Sequence, residues 1–327
     1  MKAQDAKPSP VYVSDFSVYV PEAAVTVEQA GEQLRQSGIP FDHSALQHIR
    51  EMGFHRVPLN QHSYLEEMIY RACAPVIRSL RSRQKPVDRI IFAHTLQVDF
   101  HDRNLFAKFI SDFSLSSTVS YSISQQNCAS VHFALHASQC LLRCHDHIQG
   151  VLLVTADQCF HPYYLKIPDS LMGDAASCCY ISKESNEQSH ELIDTHSLVD
   201  GTSYLGAESA PEDLVWFNTS YYFSIRQVIR EVLRRNEMNV GQIALIIGSN
   251  VNVKTWRIMA SYLQCPEEKF FHTVPSVGHL FCTDIIHNIE TAVKEGGLKP
   301  GDYYLTVTIG MGGVFGCGLH RYLPVAN

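Results

Sequence analysis

The sequence predicts an α/β fold in which buried strands alternate with helices. Short apolar runs such as 150–156 (GVLLVTA) and 243–248 (IALIIG) contain almost no polar residues, which is typical of strands buried on both faces of a sheet. Longer segments with helical periodicity, such as 129–144, separate these runs. The 327 residues, 45% of them hydrophobic, suffice for one large α/β unit or for two fused domains.

Taken in chain order, the elements fall into two similar successions. In the first, strands are predicted at 11–20, 88–94, 118–124, 150–156 and 176–182, with helices near 63–82 and 129–144. In the second, strands are predicted at 192–198, 243–248, 303–309 and 314–322, with helices near 221–236, 253–263 and 281–295. Such alternation indicates βαβ units. The polar segment 183–191 (KESNEQSHE) separates the successions, so we predict two halves, 1–185 and 186–327; the alternative is a surface loop within one domain.

Composition and charge disfavour several kinds of partner. A formal net charge of −7 argues against nucleic acid, although a local basic patch could still dock phosphate or an acidic carrier protein. The N-terminus MKAQDAKPSPVYV lacks the apolar core of a signal peptide, and no run approaches the roughly 18 apolar residues that span a membrane. We therefore expect a cytoplasmic protein that does not contact membranes. Ten cysteines without a CxxC pair indicate free thiols in that reducing compartment.

Cys128 is the candidate nucleophile. The segment VSYSISQQNCASVHFALHASQCLL runs from a predicted strand into a predicted helix and places Cys128 at the turn, before the small residues Ala129 and Ser130. Free backbone N–H groups and the helix dipole at a helix N-terminus favour the thiolate, which is the nucleophilic form. The other nine cysteines lack this placement. The alternative is a buried structural cysteine, which is the commoner role.

A metal site on the same helix is a second possibility for Cys128. His132 and His136 follow at i+4 and i+8, so the three side chains share one helix face, and both residue types bind zinc. The alternative, which we adopt, is that both histidines pack against neighbouring elements, so the sequence predicts no metal centre. The clusters CHDH (144–147) and Cys178–Cys179 are weaker candidates, because adjacent residues rarely chelate one ion well.

A glycine-rich loop and a His–Asp pair complete the candidate site. The loop TIGMGGVFGCGLHRY follows a predicted strand, and Gly310, Gly312 and Gly313 let the backbone approach a ligand closely. Its spacing is not that of a dinucleotide fingerprint, so it forms either a tight strand connection or a source of N–H groups for an oxyanion. In SVGHLFCTDIIHNIE, His279 lies five residues before Asp284, a spacing that suits a charge relay, metal ligands or a helix start.

Together these segments resemble the β-ketoacyl-(acyl carrier protein) synthase III family of thiolase-fold condensing enzymes, over nearly the whole chain. VYVPEAAVTVEQA resembles the N-terminal motif of the family, DRIIFAHTLQVDF its first core strand, ISQQNCASVHFAL its nucleophile segment, LMGDAASCCYI (Gly173, Asp174) its G-D-G-A-G segment and IGMGGVFGCGL its glycine loop. The resemblance implies a thiolase-like five-layer α-β-α-β-α sandwich made of two similar halves, normally a homodimer. It also implies that Cys128 accepts an acyl group from an acyl-CoA or acyl-carrier thioester that enters through a pantetheine tunnel.

The chain departs from this family at the two residues that support decarboxylative condensation. The family places a histidine in H-Q-x-N and an asparagine in G-N-T-S, which hydrogen-bond the malonyl thioester carbonyl. Here the first segment reads LIIGSNVNVKTWRIMA, with Ser249 at the alignable position before Asn250 and Asn252, and the second has His279 in place of the asparagine. A ketosynthase needs two positioned donors for the enolate. A general base at His279 instead suits transfer to an alcohol or amine, whose attacking atom must lose a proton.

The Cys–His–Asp arrangement resembles a branch of synthase III-like acyltransferases from bacterial natural-product pathways. On this resemblance Cys128 is the nucleophile, His279 the general base and Asp284 its orienting partner. The other predicted site residues hold the oxyanion or line the acceptor pocket: Gly312, Gly313, Ser249 and Asn250. The implied partners are a CoA or acyl carrier protein thioester and a small-molecule acceptor, without a cofactor or metal. Two other functions stay open, namely a condensing enzyme that forms a carbon–carbon bond and a non-catalytic partner subunit of one.

Overall fold

The computed structural model describes residues 9–60, 64–96, 105–115, 117–186, 188–205 and 208–323. Three predicted segments extend beyond these ranges. The first residue of the helix near 63–82, the end of the segment DRIIFAHTLQVDF at 97–100, and position 187 of the polar segment lie outside the described residues.

The described elements follow one another as two successions. The first contains β1 (Tyr12–Tyr19), β2 (Ala24–Thr26), α1 (Val27–Gln36), α2 (His43–Glu51), β3 (Arg56–Pro58), α3 (Leu65–Ser82), β4 (Arg89–Ala93), α4 (Leu105–Asp112), β5 (Val119–Ile123), α5 (Ser130–Cys144), β6 (Gly150–Asp157), β7 (Lys166–Ile167), β8 (Ser170–Leu171) and β9 (Ala175–Ser182). The second contains β10 (His190–Val199), α6 (Pro211–Arg235), β11 (Leu245–Gly248), α7 (Val253–Leu263), β12 (Phe270–Phe271), α8 (Val274–Val277), α9 (Asp284–Lys294), β13 (Tyr303–Gly310) and β14 (Val314–Tyr322).

Ten strands join one mixed sheet in the order β12-β11-β13-β14-β10-β1-β9-β6-β4-β5. The first strands of the two halves, β1 and β10, lie side by side at the centre. From β1 the first half continues outward through β9, β6, β4 and β5, and from β10 the second half continues through β14, β13, β11 and β12. In both halves this outward order is the fifth, fourth, second and third sheet strand of that half. The two central strands are paired only through Tyr12 with Glu191 and Val13 with His190, so the sheet is nearly divided there. The chain therefore repeats one strand arrangement about a central seam.

Two helices, α5 and α9, occupy the space between the halves of the sheet. Helix α5 contacts β4 and β6 of its own half and also β10 and β14 of the other, whereas α9 contacts β11 and β13 and also β1 and β9. The apolar core around these helices draws side chains from both halves. Helix α3 covers the outer face of the first half, and α6 with α7 cover that of the second, each over its own core. The predicted five-layer α-β-α-β-α sandwich is confirmed.

The predicted strands are all present with bounds close to those expected, and the helices differ mainly at their starts. Helix α6 begins at Pro211 rather than near 221. The sequence did not predict its first turns, in which no residue before Ser224 is fully buried. A 3₁₀ turn precedes each central helix: Asn127–Ala129 before α5 and Phe281–Thr283 before α9. The first residues of each predicted helix therefore belong to this turn. The sequence did not predict α1, α2 and the short pair of β2 with β3, which pack around a separate apolar core.

The connection between the two halves joins β9 to β10. The predicted boundary at 185/186 falls in this connection and stays a prediction, since α5 and α9 each pack against both halves. Among the residues that the structure describes, no helix is both long and apolar enough to cross a membrane. All ten cysteines carry free thiols.

Candidate functional site

The predicted nucleophile lies in a tight turn between β5 and α5. Asn127 begins this turn in a left-handed backbone conformation (φ 50°), which asparagine tolerates better than most residues. The Nδ2 of Asn127 donates to the Met311 carbonyl oxygen at 2.8 Å and so fixes the turn against the glycine loop. Cys128 is 3% exposed and lies two residues before Ser130, the first residue of α5.

His279 and Asp284 form a buried hydrogen-bonded pair. Asp284 is the first residue of α9, and its Oδ2 accepts a hydrogen bond from Nδ1 of His279. Two backbone N–H groups hold the same carboxylate: Leu280 donates to Oδ1 at 2.7 Å, and Asn250 donates to Oδ2 at 2.6 Å. The exposures are 1% for His279 and 0% for Asp284. The carboxylate therefore fixes the imidazole orientation and leaves its Nε2 for a second partner.

The imidazole also interacts with Cys128. Burial lowers the pKa of His279, but the charges of Asp284 and Cys128 and the hydrogen bonds to both more than offset it, so the pKa is raised well above its usual value. The three predicted catalytic side chains thus meet between the two halves, although they are far apart in sequence. Their arrangement is that of a nucleophile, a base and an orienting group. Their catalytic roles stay a prediction.

The segment before β9 holds the backbone of His279. The N–H of His279 donates to the Leu171 carbonyl at 3.0 Å, and its carbonyl accepts from the Gly173 N–H at 2.9 Å. The preceding Gly278 has φ 64°, and a Cβ there would lie 2.3 Å from the Val57 side chain, so only glycine fits. The segment LMGDAASCCYI, which the sequence singled out, therefore positions the imidazole.

Ser249 and Asn250 lie next to the His–Asp pair and differ in how far they are engaged. The Asn250 Nδ2 donates to Thr273 Oγ1 at 3.0 Å, and its Oδ1 accepts from the Thr273 N–H and from Asn288 Nδ2, also at 3.0 Å. Asn250 thus orients Asp284 through its backbone, and its side-chain amide is hydrogen-bonded to Thr273 and Asn288. Ser249 is fully buried, and its hydroxyl has no hydrogen-bond partner among the described residues. Of the two predicted pocket residues, Ser249 is the one with an available polar atom.

The glycine loop joins β13 to β14 and lies against the nucleophile turn. Gly312 and Gly313 both have φ 82°. A Cβ at Gly313 would lie 2.1 Å from the Asp200 carbonyl oxygen, and one at Gly310 would lie 2.2 Å from that of Gln126. These two glycines therefore serve close backbone packing, whereas Gly312 lines a cavity beside the site. A contribution of Gly312 and Gly313 to oxyanion binding stays a prediction.

The histidines of α5 bind threonine side chains of the sheet. His132 is fully buried, with Nδ1 bonded to Thr308 Oγ1 at 2.6 Å and Nε2 bonded to Thr306 Oγ1 at 2.9 Å. The Nδ1 of His136 is bonded to Thr195 Oγ1 at 2.9 Å. Burial lowers the pKa of His132 to about 4, so its ring is neutral near pH 7. Across the described ranges, no group of three His, Cys, Asp or Glu residues is arranged to hold a metal ion.

Two residues at the site were missed by the sequence analysis, because only the fold brings them to Cys128. Thr95 follows β4, and its Oγ1 lies 3.6 Å from Cys128 Sγ. The backbone N–H groups of Thr95 and Leu96 both donate to Oδ1 of Asp157 at 2.8 Å. Asp157 ends β6, and burial raises its pKa to about 7 despite these bonds. The available signal was an acidic residue at the end of an otherwise apolar strand.

A cavity of about 970 Å³ opens beside the nucleophile. Two neighbours of Cys128 form part of its wall: Thr95, whose Oγ1 contacts the sulfur, and Asn127, the preceding residue. Its apolar lining includes Phe92, Leu105, Phe106, Val199, Met311 and Val314. Its polar lining includes His94, whose Nε2 is bonded to Ser122 Oγ at 2.8 Å. A volume of this size is within the range of small-molecule sites.

Sequence comparison relates the chain to one enzyme family. A profile described as the C-terminal part of 3-oxoacyl-(acyl-carrier-protein) synthase III matches residues 233–322. A β-ketoacyl-(acyl-carrier-protein) synthase III from Aquifex aeolicus is 26% identical over 165 residues, which make up 46% of this chain and 50% of that relative. The chain thus aligns with about half the length of this curated relative.

Solved structures of the same fold cover nearly the whole chain. The acyltransferase ChlB3 superposes with a TM-score of 0.81 at 16% identity, over 97% of this chain and 99% of its own. The 3-oxoacyl-(acyl carrier protein) synthase III FabH from Pseudomonas aeruginosa superposes with a TM-score of 0.78 at 16% identity, over 97% and 100%. At these identities the likeness establishes the fold, while the sequence matches carry the relationship to synthase III.

Proposed function

Because the chain is a synthase III-like protein of the thiolase fold, we propose that it is an acyltransferase. The acyl group comes from an acyl carrier protein or CoA thioester and is carried as a thioester on Cys128. The acceptor is the hydroxyl or amine of a small molecule of bacterial secondary metabolism, and no carbon dioxide is released.

The proposed reaction has two steps that share one base. The Cys128 thiol gives its proton to Nε2 of His279, and the thiolate attacks the carbonyl carbon of the acyl thioester. The intermediate collapses with loss of the donor thiolate, which takes the proton from His279 and leaves the acyl group on Cys128. His279 then removes a proton from the acceptor, which attacks the acyl-cysteine, and the departing Cys128 thiolate recovers that proton. Asp284 stabilises the imidazolium in both steps.

The observation that carries this proposal is the buried His279–Asp284 pair, whose remaining nitrogen faces Cys128. An oriented base is what an alcohol or amine acceptor requires, because its attacking atom must lose a proton. Decarboxylation requires instead donors aimed at a developing enolate. Ser249 offers only a short hydroxyl where the family pattern has a histidine, and the amide of Asn250 is already hydrogen-bonded.

Intact-protein mass spectrometry tests the acyl-enzyme. The wild-type protein should gain the mass of one acyl group after mixing with acyl-CoAs or acyl carrier proteins, and Cys128→Ala should gain none. Cys140→Ala is the matched control, because Cys140 is an exposed cysteine of the same helix, and it should load like the wild type. His279→Ala should slow transfer out of the loaded enzyme. If no thioester of either kind acylates Cys128, the proposal fails.

The main competing function is a condensing enzyme, as the names of the synthase III relatives suggest. Acyl-loaded protein mixed with a malonyl carrier protein should release no carbon dioxide if the chain only transfers acyl groups. Stoichiometric release together with a carbon–carbon bonded product would replace transfer by condensation. A non-catalytic partner subunit, the third possibility, would neither load nor release.

We also propose a second copy of the chain as a partner, which analytical ultracentrifugation would detect. The substrate thioester is already activated, and Cys128, His279 and Asp284 account for every bond and proton change in the two steps. The scheme therefore includes no prosthetic group and no metal. Comparing loading from acyl-CoA with loading from an acyl carrier protein would identify the physiological donor.

A further inference from the structure

We propose that Thr95 is a further catalytic residue, which donates a hydrogen bond to the Cys128 sulfur, and that Cys282 is a positioning residue that directs this donor. The inference rests on the proposed function, because it concerns the same nucleophile. It adds a hydroxyl donor to the interaction that Cys128 makes with the imidazole.

The Thr95 hydroxyl bridges two sulfur atoms. Its Oγ1 lies 3.6 Å from Cys128 Sγ and 3.5 Å from Cys282 Sγ. The hydroxyl has a single hydrogen, so it can donate to only one sulfur at a time. The backbone of Thr95 is fixed by its N–H bond to the buried carboxyl of Asp157, which holds the hydroxyl next to the nucleophile.

The environment of Cys282 decides which sulfur receives the hydrogen. Cys282 is fully buried, and burial first, then the nearby charges of Asp157 and Cys128, raise its pKa well above the usual value. Cys282 therefore keeps its proton and acts as a donor, toward the Asn127 carbonyl oxygen at 3.4 Å or toward Thr95 Oγ1. In the proposed reaction Cys128 becomes the charged sulfur, which is the stronger acceptor of the two, so the Thr95 hydrogen then points to it.

The two cysteines occupy corresponding places in the two halves. Each lies second in a 3₁₀ turn that precedes a central helix, Asn127–Ala129 before α5 and Phe281–Thr283 before α9. Each turn begins with a residue in the left-handed region, Asn127 at φ 50° and Phe281 at φ 54°. The repeated backbone thus brings both sulfurs to one hydroxyl at the seam, and of the two cysteines Cys128 is the one that shifts the pKa of His279.

The donor would act in both proposed steps. A hydrogen bond to a charged sulfur stabilises the thiolate before attack, and it stabilises the same sulfur when it leaves the acyl group in the second step. Loss of the donor should therefore slow loading and transfer together. It should also displace thiolate formation to higher pH.

Alkylation of Cys128 by iodoacetamide, quantified at this cysteine by peptide mass spectrometry from pH 5 to 9, tests the donor. Thr95→Val keeps the shape of the side chain and should slow alkylation near pH 7 about tenfold, with the pH profile displaced upward by about one unit. Thr95→Ser should restore the wild-type profile. Thr118→Val is the matched control, because it removes a buried hydroxyl bonded to the Val87 carbonyl, and it should leave the profile unchanged. The exposed Cys140 is an internal reference.

Cys282→Ala provides a second measurement that does not depend on the folding of a Thr95 variant. It should slow alkylation in the same direction as Thr95→Val but by a smaller factor. Wild-type profiles in Thr95→Val, or in Cys282→Ala, would overturn the role assigned to that residue. Alkylation needs no acyl donor, so the result is separable from the proposed function: a protein that never loads an acyl group refutes the transfer reaction, whereas unchanged profiles in a protein that does load refute this inference.

Discussion

Replacing Asp284 by asparagine should disable the base without removing it. The Asp284 carboxylate accepts three hydrogen bonds, from the Leu280 N–H, the Asn250 N–H and Nδ1 of His279. An amide has one oxygen and one NH₂ group, so either orientation of the new side chain would set a donor against a donor. If the NH₂ group faces His279, the ring must carry its proton on Nε2, where it can no longer accept one from Cys128. If the oxygen faces His279, the imidazolium still loses its counter-charge.

The magnitude follows from burial. His279 is 1% exposed, so water cannot replace the missing charge. Leaving one member of a buried ion pair uncompensated costs about 3–5 kcal/mol, which corresponds to a rate loss on the order of 10²–10⁴-fold if the imidazolium forms in the rate-limiting step. One backbone N–H also loses its acceptor, which should lower the free energy of unfolding by about 1–3 kcal/mol.

A single-turnover loading assay measures this effect. Protein and acyl thioester are mixed at several pH values, the reaction is quenched with acid, and the mass of the protein is measured by mass spectrometry. Between pH 6 and 8 the loading rate of the wild type should change less than that of Asp284→Asn, because the charges of Asp284 and Cys128 outweigh burial and raise the pKa of His279 well above its usual value. Asp284→Asn should load slowly and accelerate as the pH rises. Asp194→Asn, which disrupts a partly exposed pair with Arg235, is the control. An Asp284→Asn protein that matches the wild type in rate and pH profile would refute this reasoning.

Two further predictions concern stability. Gly313→Ala should lower the melting temperature far more than Gly296→Ala, because both glycines have positive φ but only at Gly313 would the new Cβ meet a carbonyl, that of Asp200 at 2.1 Å; equal shifts in differential scanning calorimetry would contradict the close packing of the loop. The second prediction concerns His132, whose folded pKa is lowered by burial to about 4 from 6.5. Between these two pH values the unfolded chain binds a proton at this histidine and the folded chain does not. Protonation of His132 therefore lowers the free energy of unfolding as the pH falls from about 6.5 to about 4. In urea titrations over that window, the unfolding free energy of His132→Gln should fall less steeply than that of the wild type, by up to about 1.4 kcal/mol per pH unit; parallel curves would argue against a neutral buried ring.

The sheet was predictable from sequence because its strands are buried on both faces. Strands β6 and β9 are buried along their whole length, and such apolar runs stand out without any structural information. The first part of α6, which has no fully buried residue, and the N-terminal helices α1 and α2 were not predicted. Their apolar positions are sparse or belong to a separate small core, so periodicity gives little signal there.

The candidate site was predictable only in part. Cys128, His279 and Asp284 could be proposed from a strand–turn–helix pattern and a family resemblance, and the fold brings their side chains together. Thr95 and Asp157 could not, because their relevance depends on which strand ends lie next to the nucleophile. For Asn250 the sequence predicted a place at the site but not the contacts of the side chain. Only the structure shows that its amide is hydrogen-bonded to Thr273 and Asn288.

Because α5 and α9 each pack against both halves of the sheet, the fold should unfold cooperatively. Val131 and Leu135 of α5 share one apolar core with Ile285 and Ile289 of α9 and with strands of both halves. If either half opened, the other would lose the cover of its inner sheet face, so the two halves cannot melt one after the other as independent units. The buried His279–Asp284 pair and the turn that carries Cys128 therefore come together only in molecules that have completed folding, and partly folded chains lack the assembled site.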